Sequence, residues 1–218
     1  MSQTTRIKRS AYTSDESLDI SFGAELLRKG THMCALLVPG LYWGLGTSKP
    51  AALAILAPIA AFVTLVDISR LRGWRFWNGF DRVTGFVVRQ HERAGDFTGA
   101  FYILWGFCLT ILLFDRNVAI LAMSFIVIGD TFAALIGRRF GRTRFRGKSL
   151  EGSLACLAGT ALVAFGGNVI LDFPLWLGLA GALVATIVEA IPDFVDDNLS
   201  APLISGLVMT LLFKILSA

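Results

Sequence analysis

Charge is what this 218-residue sequence has least of. Only 17% of its residues are Asp, Glu, Lys or Arg, where a soluble domain carries about 25%. With 55% hydrophobic residues and a mean hydropathy of +0.65, too little polar surface remains to keep a single globule in water. Cysteine is scarce as well. Cys34, Cys108 and Cys156 cannot build a disulfide framework and show no metal-thiolate spacing. Each lies in an apolar run, where a free thiol is a small hydrophobe. Histidine is limited to His32 and His91, and no Ser-His-Asp arrangement is readable. No long apolar stretch follows Arg6, Lys8 and Arg9 directly, so a cleaved leader is not expected. Residues 1–17 are expected to form a polar flexible tail, and 18–218 a single transmembrane domain with 18–30 as its amphipathic lead-in.

What the sequence does have is apolar runs. Crossing about 30 Å of hydrocarbon takes roughly 20 helical residues, and as few as about 17. Seven runs qualify, at 31–47, 51–69, 98–114, 117–137, 152–171, 173–192 and 200–217. The expected fold is all-α, a polytopic integral membrane protein of about seven transmembrane helices. Lysine and arginine orient it: 17 of the 20 fall in 1–30, 70–97 and 138–151, with only Lys49, Arg116 and Lys214 on the other side. This predicts a cytosolic N-terminus and a basic cytosolic face, suited to anionic lipid headgroups and nucleotide phosphates. No nucleic-acid module is visible. In 70–97, Trp74, Phe76, Trp77 and Phe80 interleave with arginines, as in a helix lying in the headgroup plane.

Ionisable residues in or near spans are costly, so they mark candidate sites. All of them fall at cytosolic ends in this topology. Glu25, Arg28 and His32 share one helical face, with Lys29 four residues from Glu25; taken alone, these are better explained by a positive-inside anchor with a Glu25–Lys29 pair. Asp67 and Arg70 suit a helix-end ion pair. Asp130 lies inside a span with no neutralising neighbour in sequence, so it needs a partner from another helix, a metal ion or water. Ala133, Ala134, Gly137 and Gly141 follow on nearly its face, where small residues admit a backbone or ligand.

The segment Gly137–Ser149 carries six cations among glycines, including Arg138, Arg139 and Lys148, a composition suited to cradling polyphosphate. It is not a P-loop, because Arg142 occupies the position where Walker spacing needs glycine. Ser149 and Glu151 suit the start of the next helix. Finally, Glu189, Asp193, Asp196 and Asp197 place four carboxylates within nine residues, around Pro192, with no intervening base. Pro192 is expected to break the sixth span. Their repulsion calls for a cation, and hard oxygen ligands suit magnesium; a solvated acidic turn, with Asn198 capping the next helix, is the alternative. A cationic loop, clustered acids and a buried aspartate on one face together describe phosphoryl transfer.

These residues resemble the CTP-dependent lipid kinases, the group containing dolichol kinase, phytol kinase and the fungal-type diacylglycerol kinase. The likeness lies in Glu25-x-x-Arg28-Lys29-x-x-His32, Gly129-Asp130-Thr131-x-Ala133-x-x-x-Gly137-Arg138-x-x-Gly141, Gly147-Lys148-Ser149-x-Glu151-Gly152-Ser153 and Glu189…Asp196-Asp197-Asn198-Leu199. The resemblance implies transfer of the γ-phosphate of CTP, with a divalent cation, to a lipid hydroxyl of the diacylglycerol or polyprenol/phytol type. It makes Asp130 the essential acid and implies phosphate-binding roles for Arg28 and Lys29, with Gly137 as the motif glycine. The resulting expectation gives Arg28, Lys29, His32, Gly137, Arg138, Arg139, Lys148 and Ser149 to the nucleotide. It gives Asp130, Glu189, Asp193, Asp196 and Asp197 to Mg2+. Two other readings compete: a phosphatidate cytidylyltransferase-like enzyme making a CDP-lipid, and a lipid or ion carrier that uses the acids as a cation site.

Overall fold

The computed structural model describes residues 22–74, 95–145, 147–191 and 196–216. They form an all-α membrane protein with one small hairpin. A lead helix α1 (Phe22–Met33) passes through a 3-10 turn (Cys34–Leu36) into α2 (Leu37–Gly44). Then come α3 (Lys49–Leu71), α4 (Gly99–Leu113) and α5 (Arg116–Phe140). Strands β1 (Arg144–Phe145) and β2 (Lys148–Ser149) precede α6 (Leu150–Leu171), α7 (Leu175–Ala190) and α8 (Asp197–Leu216).

Among the described residues four helices, α3, α5, α6 and α8, are long and apolar enough to cross a membrane. Helices α4 and α7 are equally apolar but span 15 and 16 residues. The first expected run is divided between α1, the 3-10 turn and α2. The aromatic-basic stretch of 75–94, the expected break at Pro192 and the candidate ligand Asp193 lie outside the described residues.

Local chemistry sets the helix boundaries. Ser48 caps α3 by accepting the Ala51 N–H at 3.4 Å, and Pro50 sits in its first turn, where a missing N–H costs nothing. Ser149 caps α6 through the Gly152 N–H at 3.1 Å. Asp196 caps α8, its Oδ1 accepting the Asn198 N–H at 2.9 Å and the Asn198 side-chain amide at 2.6 Å.

Helix α5 is the axis of the fold. Apolar and small residues cover its whole circumference, so it buries Ala119, Met123, Phe125 and Val127 completely, against α6, α7 and α8. The closest approach is to α6 and depends on glycine. A Cβ at Gly129 would lie 2.8 Å from Cys156 Sγ, and one at Gly137 would lie 2.8 Å from Ser149 Oγ and 3.4 Å from Gly152 Cα. Thr160 of α6 and Thr186 of α7 meet at 3.3 Å, which ties those two helices beneath the polar end of the molecule.

Helices α3 and α4 pack on each other at the side, where buried Asp67 braces their junction. It accepts the Thr98 N–H at 2.9 Å, the Thr98 hydroxyl at 2.8 Å and the Arg70 Nε–H at 3.3 Å. The structural reading of Asp67 and Arg70 agrees with this geometry. Cys108 and Cys156 are buried and Cys34 is exposed, and all three are free thiols.

Candidate active site

Three helices deliver one carboxylate each to a common point. Asp130 comes from the polar half of α5, Glu189 from the last turn of α7 and Asp197 from the first turn of α8. One oxygen of each lies within 4.8 Å of the others, and Asp130 and Glu189 are buried. Three anions this close repel strongly in a low-dielectric setting, so the cluster exists only with cations among it.

Two lysines supply them, from opposite directions in the chain. Lys29 of α1 is 1% exposed and forms a buried ion pair with Asp130. This is the partner from another helix that Asp130 required. His32, one turn on, places Nε2 3.3 Å from the same Asp130 oxygen without hydrogen-bond alignment. Lys148 of β2 donates from Nζ to Glu189 Oε1 at 2.5 Å and to Asp197 Oδ2 at 3.4 Å. Burial works against its charge, but Asp197 and Glu189 outweigh that and hold its pKa above the ordinary lysine range.

A second ring of charge surrounds these groups. Arg28 grips Glu25 with two hydrogen bonds, Nη2 to Oε1 at 2.5 Å and Nε to Oε2 at 3.1 Å. Arg138 of α5 reaches the same carboxylate, Nη1 to Oε2 at 3.3 Å. Glu25 thus joins the α1 cations to the cationic end of α5.

The hairpin follows from its sequence. Gly147 takes φ +83°, a backbone region that favours glycine, and closes the turn between Phe145 and Lys148. Leu150 N–H bonds the Thr143 carbonyl at 2.9 Å, and Thr143 N–H meets the Glu151 carboxylate at 3.2 Å. Glu151 therefore anchors the hairpin, while Ser149 is the residue that caps α6.

The other expected site residues stand in less direct positions. Ser149 Oγ is buried at the α5–α6 crossing, next to Gly137. Arg139 is exposed and stacks its guanidinium over Phe140, 5.6 Å from the ring centroid. Asp196 serves as the cap of α8 and is not one of the three acids that converge. The pairing of Lys148 with Glu189 has no signal in sequence, since 41 residues separate them.

The donor set fits a divalent metal ion. Glu189 Oε2 is buried without a hydrogen-bond partner among the described residues, and so is the Asn198 amide oxygen beside Asp197. A buried acceptor left unmatched costs about 1–3 kcal/mol. Hard anionic oxygens gathered with a free acceptor are the ligands that Mg2+ prefers.

Comparison with known proteins accords with this chemistry. No protein-family model matches the chain, and no solved structure matches it. A probable chloroplastic phytol kinase of Triticum aestivum is 30% identical over 208 residues, covering 86% of this chain and 67% of that protein. The CTP-dependent diacylglycerol kinase 1 of Saccharomyces cerevisiae is 28% identical over 72% of this chain and 63% of its own. An uncharacterized protein of Rickettsia prowazekii is 27% identical over 84% of this chain and 91% of its own. The chain belongs to the CTP-dependent lipid kinase family, which includes the phytol kinases and the CTP-dependent diacylglycerol kinases.

Proposed function

We propose that this protein transfers the γ-phosphoryl group of CTP to the hydroxyl of a membrane lipid alcohol, of the diacylglycerol or polyprenol/phytol type. The observation that carries the reading is the meeting of Asp130, Glu189 and Asp197 with Lys29 and Lys148 at one point. The nucleotide and the acceptor class come from the names of the diacylglycerol and phytol kinase relatives.

In this reading Asp130, Glu189 and Asp197 hold Mg2+, with Asp193 beside them in sequence. When bound, the ion would offset the charge that develops on the phosphates. Arg28, Arg138, Arg139 and Lys148 supply the phosphate donors, with guanidinium forks matched to the planar spacing of phosphate oxygens. Lys29 and His32 fix the Asp130 carboxylate, which orients the acceptor hydroxyl and takes its proton. Little covalent work is asked of the protein, because phosphoryl transfer depends mainly on position and charge.

The same reading assigns seven crossings, with α1 to α2 as the first, the N-terminus in the cytosol and the site at the cytosolic face. Helix α5 supports it: Arg116 opens the helix and binds the carbonyl oxygens of Tyr42 and Trp43, while Arg138 lies at the site end. Lys214 likewise sits in the last turn of α8, opposite Asp197.

The test offers CTP, ATP and GTP, each labelled in the γ-phosphate, to the purified protein with a panel of lipid alcohols. Labelled phospholipid and CDP, formed from CTP, are expected. Pyrophosphate with a CDP-lipid would mean nucleotidyl transfer, and metal-coupled flux without nucleotide consumption would mean a carrier.

A further inference from the structure

Lys148 sits in an unexpected place for a residue that binds phosphate. Its ammonium lies down among the acids, 2.5 Å from Glu189 Oε1 and 3.4 Å from Asp197 Oδ2. These are two of the three carboxylates that would ligate the divalent cation. Mg2+ takes oxygen ligands at about 2.0–2.1 Å, and a second positive charge held against the same oxygens would be strongly repelled. An ion that takes the open Glu189 Oε2 and the Asp197 carboxylate meets the ammonium already held on Glu189 Oε1 and Asp197 Oδ2, and repels it.

The two lysines of the site differ in their freedom to leave. Lys29 has a side chain 1% exposed, on a helix packed against α5. The Lys148 side chain is 31% exposed, above a Glu189 side chain that is 3% exposed. It rides on a two-residue strand whose partners, Arg144 and Phe145, are exposed. A flexible four-carbon stem at that position can turn its ammonium outward without disturbing the helices.

We propose that Lys148 is the stand-in cation of the site: it holds Glu189 and Asp197 until the divalent ion arrives, and is then displaced outward onto the phosphates of the nucleotide. This rests on the cation reading above and adds an order to it. The ion alone must expel a paired ammonium. The ion together with a triphosphate gives that ammonium a new anionic partner. Cation and nucleotide therefore bind cooperatively, each raising the affinity of the other by the same factor, and Lys148 adds to the coupling that direct attraction between ion and phosphate supplies.

Wild-type protein in detergent, treated with an amine-acylating reagent and analysed by mass spectrometry, reads the exchange directly. Lys148 labelling is expected to rise several-fold when Mn2+ saturates the site and to fall again on addition of a β,γ-methylene analogue of CTP, with Lys29 unchanged. Labelling of Lys148 that ignores bound Mn2+ would overturn the proposal. Lys148→Met, purified in Mn2+ so that its acids are never left bare, is then exchanged to measure affinity. Binding of Mn2+ at least about tenfold tighter than wild type without nucleotide is expected, with a smaller gain on adding the analogue than in wild type; equal or weaker binding would contradict it. Glu189→Gln keeps the two ideas apart. If it binds Mn2+ as tightly as wild type, the cation site itself is misplaced and the exchange falls with it. If it loses Mn2+ while Lys148→Met gains nothing, the site stands and only the exchange fails.

Discussion

Two buried aspartates, Asp67 and Asp130, show how differently the same side chain is used within one bundle. Asp67 is satisfied locally by the amide and hydroxyl of Thr98 and by Arg70, three residues away. Among the described residues it belongs to no group of three or more candidate metal ligands. Asp130 is held by Lys29, 101 residues away, and is crowded by Glu189 and Asp197. An acid with matched neutral and charged donors braces a helix junction. An acid placed among like charges, balanced only by lysines, stores electrostatic free energy that a ligand can relieve. The first arrangement stabilises the fold; the second is the one the proposed function assigns to chemistry.

Asp130→Asn should produce the largest effect, because it keeps the shape and removes the charge. Inserted and folded protein is expected to lose phospholipid product by a factor of about 10²–10⁴, measured by labelled phosphate transfer. Glu189→Gln and Asp197→Asn come next, each expected to raise the divalent cation concentration needed for half-maximal activity by at least about tenfold. Asp67→Asn reverses the pattern. It should lower stability by about 1–3 kcal/mol, measured as thermal or denaturant unfolding in detergent, with turnover per folded molecule retained. Loss of turnover there would erase the distinction between the two aspartates. Asp196→Asn should do least. Asparagine caps helices as well as aspartate does, so activity is expected within about twofold of wild type; a loss matching that of Asp197→Asn would make Asp196 a ligand as well as a cap.

Much of this was legible from sequence, for a physical reason. A carboxylate in an apolar run has few affordable explanations, so Asp130 and Glu189 stood out, and the long runs of α3, α5, α6 and α8 declared themselves by length. The positions of the cations were harder to read. From sequence Lys29 reads as a phosphate ligand, or as an anchor beside Glu25, and the structure pairs it with Asp130. Lys148 looked like part of a phosphate loop, yet it reaches Glu189 across the bundle. Both pairings depend on how α5, α6 and α7 cross, which is set by side-chain contacts such as those at Gly129 and Gly137 that periodicity does not encode. Asp196 and Asp197 are adjacent in sequence, and only the start of α8 separates a capping acid from a clustered one. The hairpin escaped notice because strands of two residues leave no alternating pattern.

The most direct test of the central claim, that three acids from three helices form one cation site, is the stoichiometry of Mn2+ binding measured by electron paramagnetic resonance on purified protein. One ion per chain is expected, bound at least about tenfold more weakly after Asp130→Asn, Glu189→Gln or Asp197→Asn, and unchanged by Asp67→Asn. Binding that survives any of the first three substitutions at full affinity, or that vanishes with Asp67→Asn in folded protein, would contradict the account.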